Sequence, residues 1–150
     1  MTRLSNKKFK FQTPDESPGF LLWQVSAIWH RKINQTLRPY NLTHTQFVIM
    51  TNIFWLTEQN KTVTQIQISQ LSKIDPVVVS NVLKTLEQKQ FVERKETGDL
   101  RAKNVLLTQK GNDILTPSLK AVELFDEQFF NGINNLSEAK NIMRSLIREN

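Results

Sequence analysis

The apolar residues Leu22, Val25, Trp29, Ile33 and Leu37 recur at three- and four-residue intervals, and Leu21 and Ile28 widen the stripe. That spacing predicts an amphipathic helix over 20–37, stopped by Pro39. Next comes Leu42-Thr43-His44-Thr45-Gln46-Phe47. Thr43 suits an N-cap and Gln46 the reciprocal partner three residues on, while Leu42 and Phe47 fit the two positions of a hydrophobic staple. A second helix is expected from there to about Thr57. The same grammar returns at Val63-Thr64-Gln65-Ile66-Gln67-Ile68: Thr64 caps, Gln67 closes the box, and Val63 packs on Ile68. This third helix is short and ends near Lys73. Residues 61–63 read as a brief strand ahead of it.

After a tight connection, Asp75 offers a cap and Pro76 a first helical residue, where a missing N–H costs nothing. The fourth helix runs to about Gln88, with Val79, Val82, Leu83 and Leu86 as its buried stripe. Residues 91–95 and 104–107 are rich in branched and aromatic side chains, and the polar stretch between them holds one glycine, which reads as a β-hairpin. Thr108 caps a long helix carrying Leu115, Leu119, Val122, Phe125, Phe129 and Ile133. Pro117 inside it is expected to kink the helix or move its start. Ser137 is expected to cap a last helix whose apolar face is Ile142, Met143, Leu146 and Ile147.

A short capped helix, a turn, a helix opened by Asp-Pro and a hairpin with a basic tip outline a winged helix-turn-helix. With 4 glycines in 150 residues, few tight turns are available, which favours helices over an all-β fold. The long helix and the last helix of residues 112–150 carry more apolar surface than the small wing unit can cover, so a second copy of the chain is the expected cover. The fold class is therefore mainly α with a small β-hairpin (α+β): a winged helix-turn-helix with N- and C-terminal dimerisation helices. Residues 1–18, with Lys7, Lys8, Lys10, Pro14 and Pro18, read as a flexible basic arm. Residues 19–150 read as one domain, in which 42–111 form the DNA-binding lobe and 19–38 and 112–150 the dimerisation helices.

Charge sharpens this division. The net charge is +6. Residues 60–111 hold 9 basic and 5 acidic side chains, whereas 112–150 hold 4 and 6, so the positive charge avoids the C-terminal segment. Absence of cysteine excludes disulfides, thiolate chemistry and thiol redox sensing. No apolar stretch approaches the ~20 residues that span a bilayer, and residues 1–12 lack the apolar run of a secretory signal. A cytoplasmic protein without a membrane partner is expected. His30 and His44 stand without neighbouring His, Cys or paired carboxylates, and no nucleophile–base–orienter set can be assembled. Neither a metal, a cofactor nor an enzymatic activity is expected.

The second helix of such a unit presents its N-terminal residues to base edges in the major groove. The outward face here offers Pro76, Val77, Val78, Ser80, Asn81, Lys84 and Thr85. Asn pairs with adenine, Ser and Thr serve several bases, and Val77 and Val78 suit thymine methyls. Thr64 and Gln65 place free N–H groups of the third helix toward phosphate. The hairpin supplies Arg94, Lys95, Arg101 and Lys103, and a thin basic loop suits a minor groove, where arginine meets concentrated negative potential. Asp99 is out of place there unless an ion pair with Arg94 or Arg101 fixes the wing's shape.

These residues resemble the MarR (multiple antibiotic resistance regulator) family, over nearly the whole chain from Ser17-Pro18-Gly19-Phe20-Leu21-Leu22 onward. The most specific part is Phe91-Val92-Glu93-Arg94, then Asp99-Leu100-Arg101-Ala102-Lys103, then Leu107-Thr108-Gln109-Lys110-Gly111. It is similar to the family's wing pattern, in which Asp-x-Arg precedes a Leu-Thr-x-x-Gly helix start. The resemblance implies a homodimer built from the chain termini, double-stranded DNA as partner, repression as the mode of regulation, and a small aromatic or anionic effector. The middle wing position, often arginine in the family, is Leu100 here, which leaves the groove contact to Arg101.

Plainer readings stand beside these. Charge runs are usually solvated surface. Trp23, His30, Phe54 and Trp55 are candidate ligand-binding residues, but aromatics at helical spacing are more often core. The alternative function is a helical dimer that binds protein rather than DNA, which an exposed apolar patch on the wing unit would favour and for which Val77, Val78 and Leu100 are the only hints.

Overall fold

Side chains that cap helices organise the chain, four of them between residues 43 and 108. Thr43 Oγ1 accepts the Gln46 N–H at 3.2 Å while Gln46 Oε1 accepts the Thr43 N–H at 3.1 Å, a complete capping box. Thr64 and Gln67 repeat it at 3.3 and 2.8 Å. Asp75 Oδ1 accepts the Val77 N–H at 2.8 Å, with Pro76 first in the helix. Thr108 Oγ1 accepts the Gly111 N–H at 3.0 Å. Each satisfies a donor that a helix start otherwise leaves open.

The computed structural model describes residues 10–99 and 101–150. Its elements are α1 (Pro18–Leu37), α2 (His44–Gln59), α3 (Gln65–Ser72), α4 (Pro76–Gln88), β1 (Val92–Glu96), β2 (Lys103–Leu107), α5 (Gln109–Phe130) and α6 (Leu136–Glu149). Short 3₁₀ turns cover Pro14–Glu16 and Arg38–Tyr40. The chain forms two units, Met1–Lys32 and Ile33–Asn150.

In the first unit, Pro18 opens α1 rather than breaking the chain, and Ser17 Oγ accepts the Phe20 N–H at 3.3 Å. Lys7 and Lys8 of the expected arm lie outside the described residues. Phe20, Leu21, Leu22, Trp23, Val25 and Ile28 are all exposed.

The second unit holds the core: Ile33 and Leu37, then Ile49, Met50 and Ile53 of α2, Ile68 of α3, Val79, Leu83 and Leu86 of α4, and Val105 of β2, all fully buried or nearly so. Hiding each Leu or Ile contributes roughly 1.5–3 kcal/mol. Val82, expected in the α4 stripe, is half-buried. β1 and β2 pair antiparallel, with Val92 opposite Leu107 and Arg94 opposite Val105.

Two local expectations are corrected and a third is narrowed. Residues 61–63 form no strand. Val63 C=O does accept the Val105 N–H at 2.8 Å, but its own N–H goes to Asn104 Oδ1 at 2.8 Å, so a side chain replaces the ladder. Asn135, not Ser137, caps α6: its Oδ1 accepts the Glu138 N–H at 3.0 Å. Pro117 neither ends α5 nor moves its start. Neighbouring hydroxyls donate into the same turns, Thr116 to Asn112 C=O at 3.0 Å and Ser118 to Leu115 C=O at 2.9 Å.

α6 buries none of its residues, and Ile142, Met143, Leu146 and Ile147 lie exposed along it. Among the described residues no helix is long and apolar enough to cross a membrane.

Candidate nucleic-acid interface

The apolar face of α4 decides where its other side chains go. Val79, Leu83 and Leu86 point into the core, which turns Pro76, Val77, Val78, Asn81 and Lys84 outward. Val77 is 67% exposed, a position with no packing role. Ser80 and Thr85 are half-buried at the edge of this face. Thr85 donates its hydroxyl back to Asn81 C=O at 3.4 Å.

The start of α3 lies beside the start of α4, since Gln65 Nε2 donates to Pro76 C=O at 3.4 Å. It also lies beside the hairpin. A hollow of about 360 Å³ is lined by Thr64, Gln65, Arg94, Arg101, Lys103 and Val105. The exposed half of α4, the capped start of α3 and the base of the wing thus form one surface carrying three cationic side chains around the hollow.

The wing tip is shaped by Thr97 and Asp99. Thr97 Oγ1 donates to Ala102 C=O at 2.7 Å and accepts the Asp99 N–H at 3.1 Å. Asp99 Oδ1 accepts the backbone N–H of Arg101 at 2.9 Å. Asp99 therefore fixes the loop through the main chain, and the expected pairing with the Arg94 guanidinium does not form. Arg94 pairs with Glu87 instead: Nε and the terminal nitrogen each lie 2.8 Å from a carboxylate oxygen. The Arg94 fork holds the Glu87 carboxyl below the usual carboxylate range, against a smaller opposing effect of burial. Lys95 pairs with Glu93 at 3.2 Å and Lys103 with Glu96 at 3.3 Å, both exposed. Leu100, at the middle of the tip, lies outside the described residues.

Sequence reasoning missed Glu87, whose role depends on a partner across the α4–β1 turn, and Asn104, which reads as a polar strand residue. It also missed Ile66, 67% exposed at the rim of the hollow. Of the candidate ligand residues, Phe54 and Trp55 come together on a cleft of about 530 Å³ that Leu71, Leu115, Leu119 and Glu123 also line. Trp23 and His30 belong to the first unit, where Trp23 is 71% exposed.

A capped helix pair followed by an antiparallel hairpin and flanked by long helices is a winged helix-turn-helix. Residues 38–124 match the ArnR1-like winged-helix domain family. YdcH of Bacillus subtilis (strain 168), described as an uncharacterized HTH-type transcriptional regulator, is 41% identical over 122 residues, covering 81% of this chain and 83% of that one. Among solved structures, a mutant MarR from E. coli complexed with operator DNA superposes with a TM-score of 0.76 at 20% identity, over 85% of this chain and 91% of that one. CouR from Rhodococcus jostii RHA1 bound to p-coumaroyl-CoA gives 0.77 at 23% identity, over 92% and 94%. The chain belongs to the ArnR1-like winged-helix family and is a DNA-binding transcriptional regulator with the MarR-family fold.

Proposed function

We propose that two copies of this chain read one duplex, each setting α4 into a major groove and its wing into the flanking minor groove. The observation that carries this is the partition of α4: its apolar stripe is consumed by the core while Val77, Asn81 and Lys84 are left outward, and the α3 start, bonded to Pro76 through Gln65, shares a hollow with Arg101. Asn81 suits adenine and Val77 a thymine methyl. The Thr64 and Gln65 end of α3 suits a phosphate. The exposed lysine pairs of the wing are worth little, so Lys95 and Lys103 exchange them for phosphate at small cost.

Dimerisation follows from the apolar faces at both chain ends. α6 has no buried residue, and the exposed stripe of Ile142, Met143, Leu146 and Ile147 is amphipathic along its whole length. A second copy is the cover that makes a two-fold, pseudo-palindromic site natural, with half-sites about 34–36 Å apart. Occupancy of such a site represses by excluding polymerase.

An effector, bound in the Phe54–Trp55 cleft, adjusts the spacing of the two reading heads by binding one dimer geometry better than the other. Glu123 is the only charged side chain among the described lining residues. That carboxylate favours a neutral or cationic aromatic over the anionic alternative.

The test is selection of bound duplexes from a random pool, followed by affinity measurement on the selected sequence. The reading expects an inverted repeat and an affinity that falls steeply with salt. A pool that yields no enriched sequence at low salt contradicts it.

A further inference from the structure

Glu87 and Arg94 each occupy a position that the local pattern turns inward. Glu87 follows Leu83 by one helical turn, at the end of the stripe that packs α4 against the core. Arg94 follows the buried Val92 by two residues on β1 and stands opposite the buried Val105. Their side chains are 32% and 21% exposed, less than either other ion pair of the wing. Both Arg94 bonds are short and parallel, the fork geometry that makes an Arg–carboxylate pair directional as well as attractive. The pair spans the turn between the helix proposed to read the major groove and the first strand of the wing, and Arg94 borders the same hollow as Thr64, Gln65 and Arg101.

We propose that Glu87 and Arg94 are positioning residues for DNA recognition: their fork sets the angle between α4 and the wing, so that both reach their grooves on the same duplex. This rests on the DNA reading given above, and it assigns Arg94 to the protein's own geometry rather than to a phosphate. An acidic side chain near a DNA-facing surface repels the polyanion when unpaired. Its retention here is accounted for by the rigidity the fork supplies. Lysine cannot replace Arg94, because a point charge has no fork.

Electrostatics alone and the fork predict opposite signs for one substitution. Glu87→Gln removes a negative charge, so a purely electrostatic surface binds DNA more tightly. The fork account expects weaker binding to the selected duplex, at least about fivefold at constant salt, the scale of couplings within one polar network. Arg94→Lys keeps the charge and is expected to lose a similar factor with the salt slope of wild type. Hydroxyl-radical footprints of both variants should lose the flanking minor-groove protection, while methylation protection in the major groove persists. Circular dichroism of the free variants verifies that they are folded. The proposal is overturned if folded Glu87→Gln binds as well as wild type or better, or if Arg94→Lys binds like wild type. It is also overturned if Arg94→Gln lowers the salt slope by about one ion, since that makes Arg94 a phosphate contact. A wild-type chain that binds no duplex refutes the DNA reading itself, which is a different failure from a wild type that binds and a Glu87→Gln that binds equally.

Discussion

Lys89 Nζ donates to the backbone carbonyl of Asn41 at 2.7 Å, joining the end of α4 to the corner between α1 and α2, 48 residues away. The same ammonium reaches Gln46 Oε1 at 3.0 Å, the acceptor that also closes the α2 capping box. Burial pushes the Lys89 ammonium below its ordinary value. The C-terminal end of α4 is thus tied down by Lys89 and by Glu87. Lys89→Met keeps the stem and removes the donors. It is expected to lower unfolding free energy by about 1 kcal/mol, below the roughly 1.5–3 kcal/mol of bonds to a charged group because the site is partly wet. Urea denaturation with an unchanged m-value checks this, and an unchanged midpoint removes Lys89 from the account.

Acid should weaken the α4–wing joint. The Glu87 carboxyl is held below its ordinary range, chiefly by the Arg94 fork. A depressed carboxylate contributes stability that is fully present above its unfolded value of about 4.3 and is lost as pH falls through the lowered folded value. Thermal unfolding of wild type is therefore expected to lose more midpoint between pH 6 and pH 3 than that of Glu87→Gln. Parallel pH profiles for the two contradict the assignment.

Gly111 is required by packing rather than by backbone conformation. A Cβ at this position meets the carbonyl oxygen of Phe91, the same oxygen that accepts the Thr108 N–H at 3.0 Å. Gly111→Ala is expected to destabilise by about 1–3 kcal/mol, as overpacking against fixed backbone does. Gly132 has open space around it, so Gly132→Ala should stay within about 0.5 kcal/mol of wild type. Equal effects of the two substitutions contradict the packing argument.

Gln90 has φ 63°, in the left-handed region, where a Cβ is strained. Gln90→Gly is expected to stabilise the turn between α4 and β1 by about 0.5–1 kcal/mol. The change in thermal midpoint measures it, and a loss of stability shows that the Gln90 side chain matters more than the strain.

The helix starts were legible in the sequence because capping is local chemistry. Thr43, Thr64, Asp75 and Thr108 act within three residues of themselves, and the two Thr–Gln boxes stand in the structure as their spacing predicts. Most of the buried stripe of α4 was legible for the same reason, since helical spacing selects Val79, Leu83 and Leu86, while Val82 is only half-buried. What was not legible depends on partners distant in sequence or on competition between adequate local choices. Asn135 and Ser137 are both good caps, and only the packed chain decides between them. Asn41, Lys73 and Gln90 adopt the left-handed conformation without the glycine that usually marks it. The wing's four basic residues read as equivalent and Asp99 as an ion-pair partner, yet Arg94 is committed to Glu87 and Asp99 to the backbone of Arg101. Charge type and spacing pick out the wing but not which of its charges are committed to partners within the chain.

The sharpest measurement is a hydroxyl-radical footprint of the wild-type chain on a duplex carrying its selected site. Two symmetric clusters of protection, centred about one helical turn apart and both weakened by Arg101→Ala, are the predicted result. A single cluster, or none at low salt, contradicts the claim that paired α4–wing heads read one duplex.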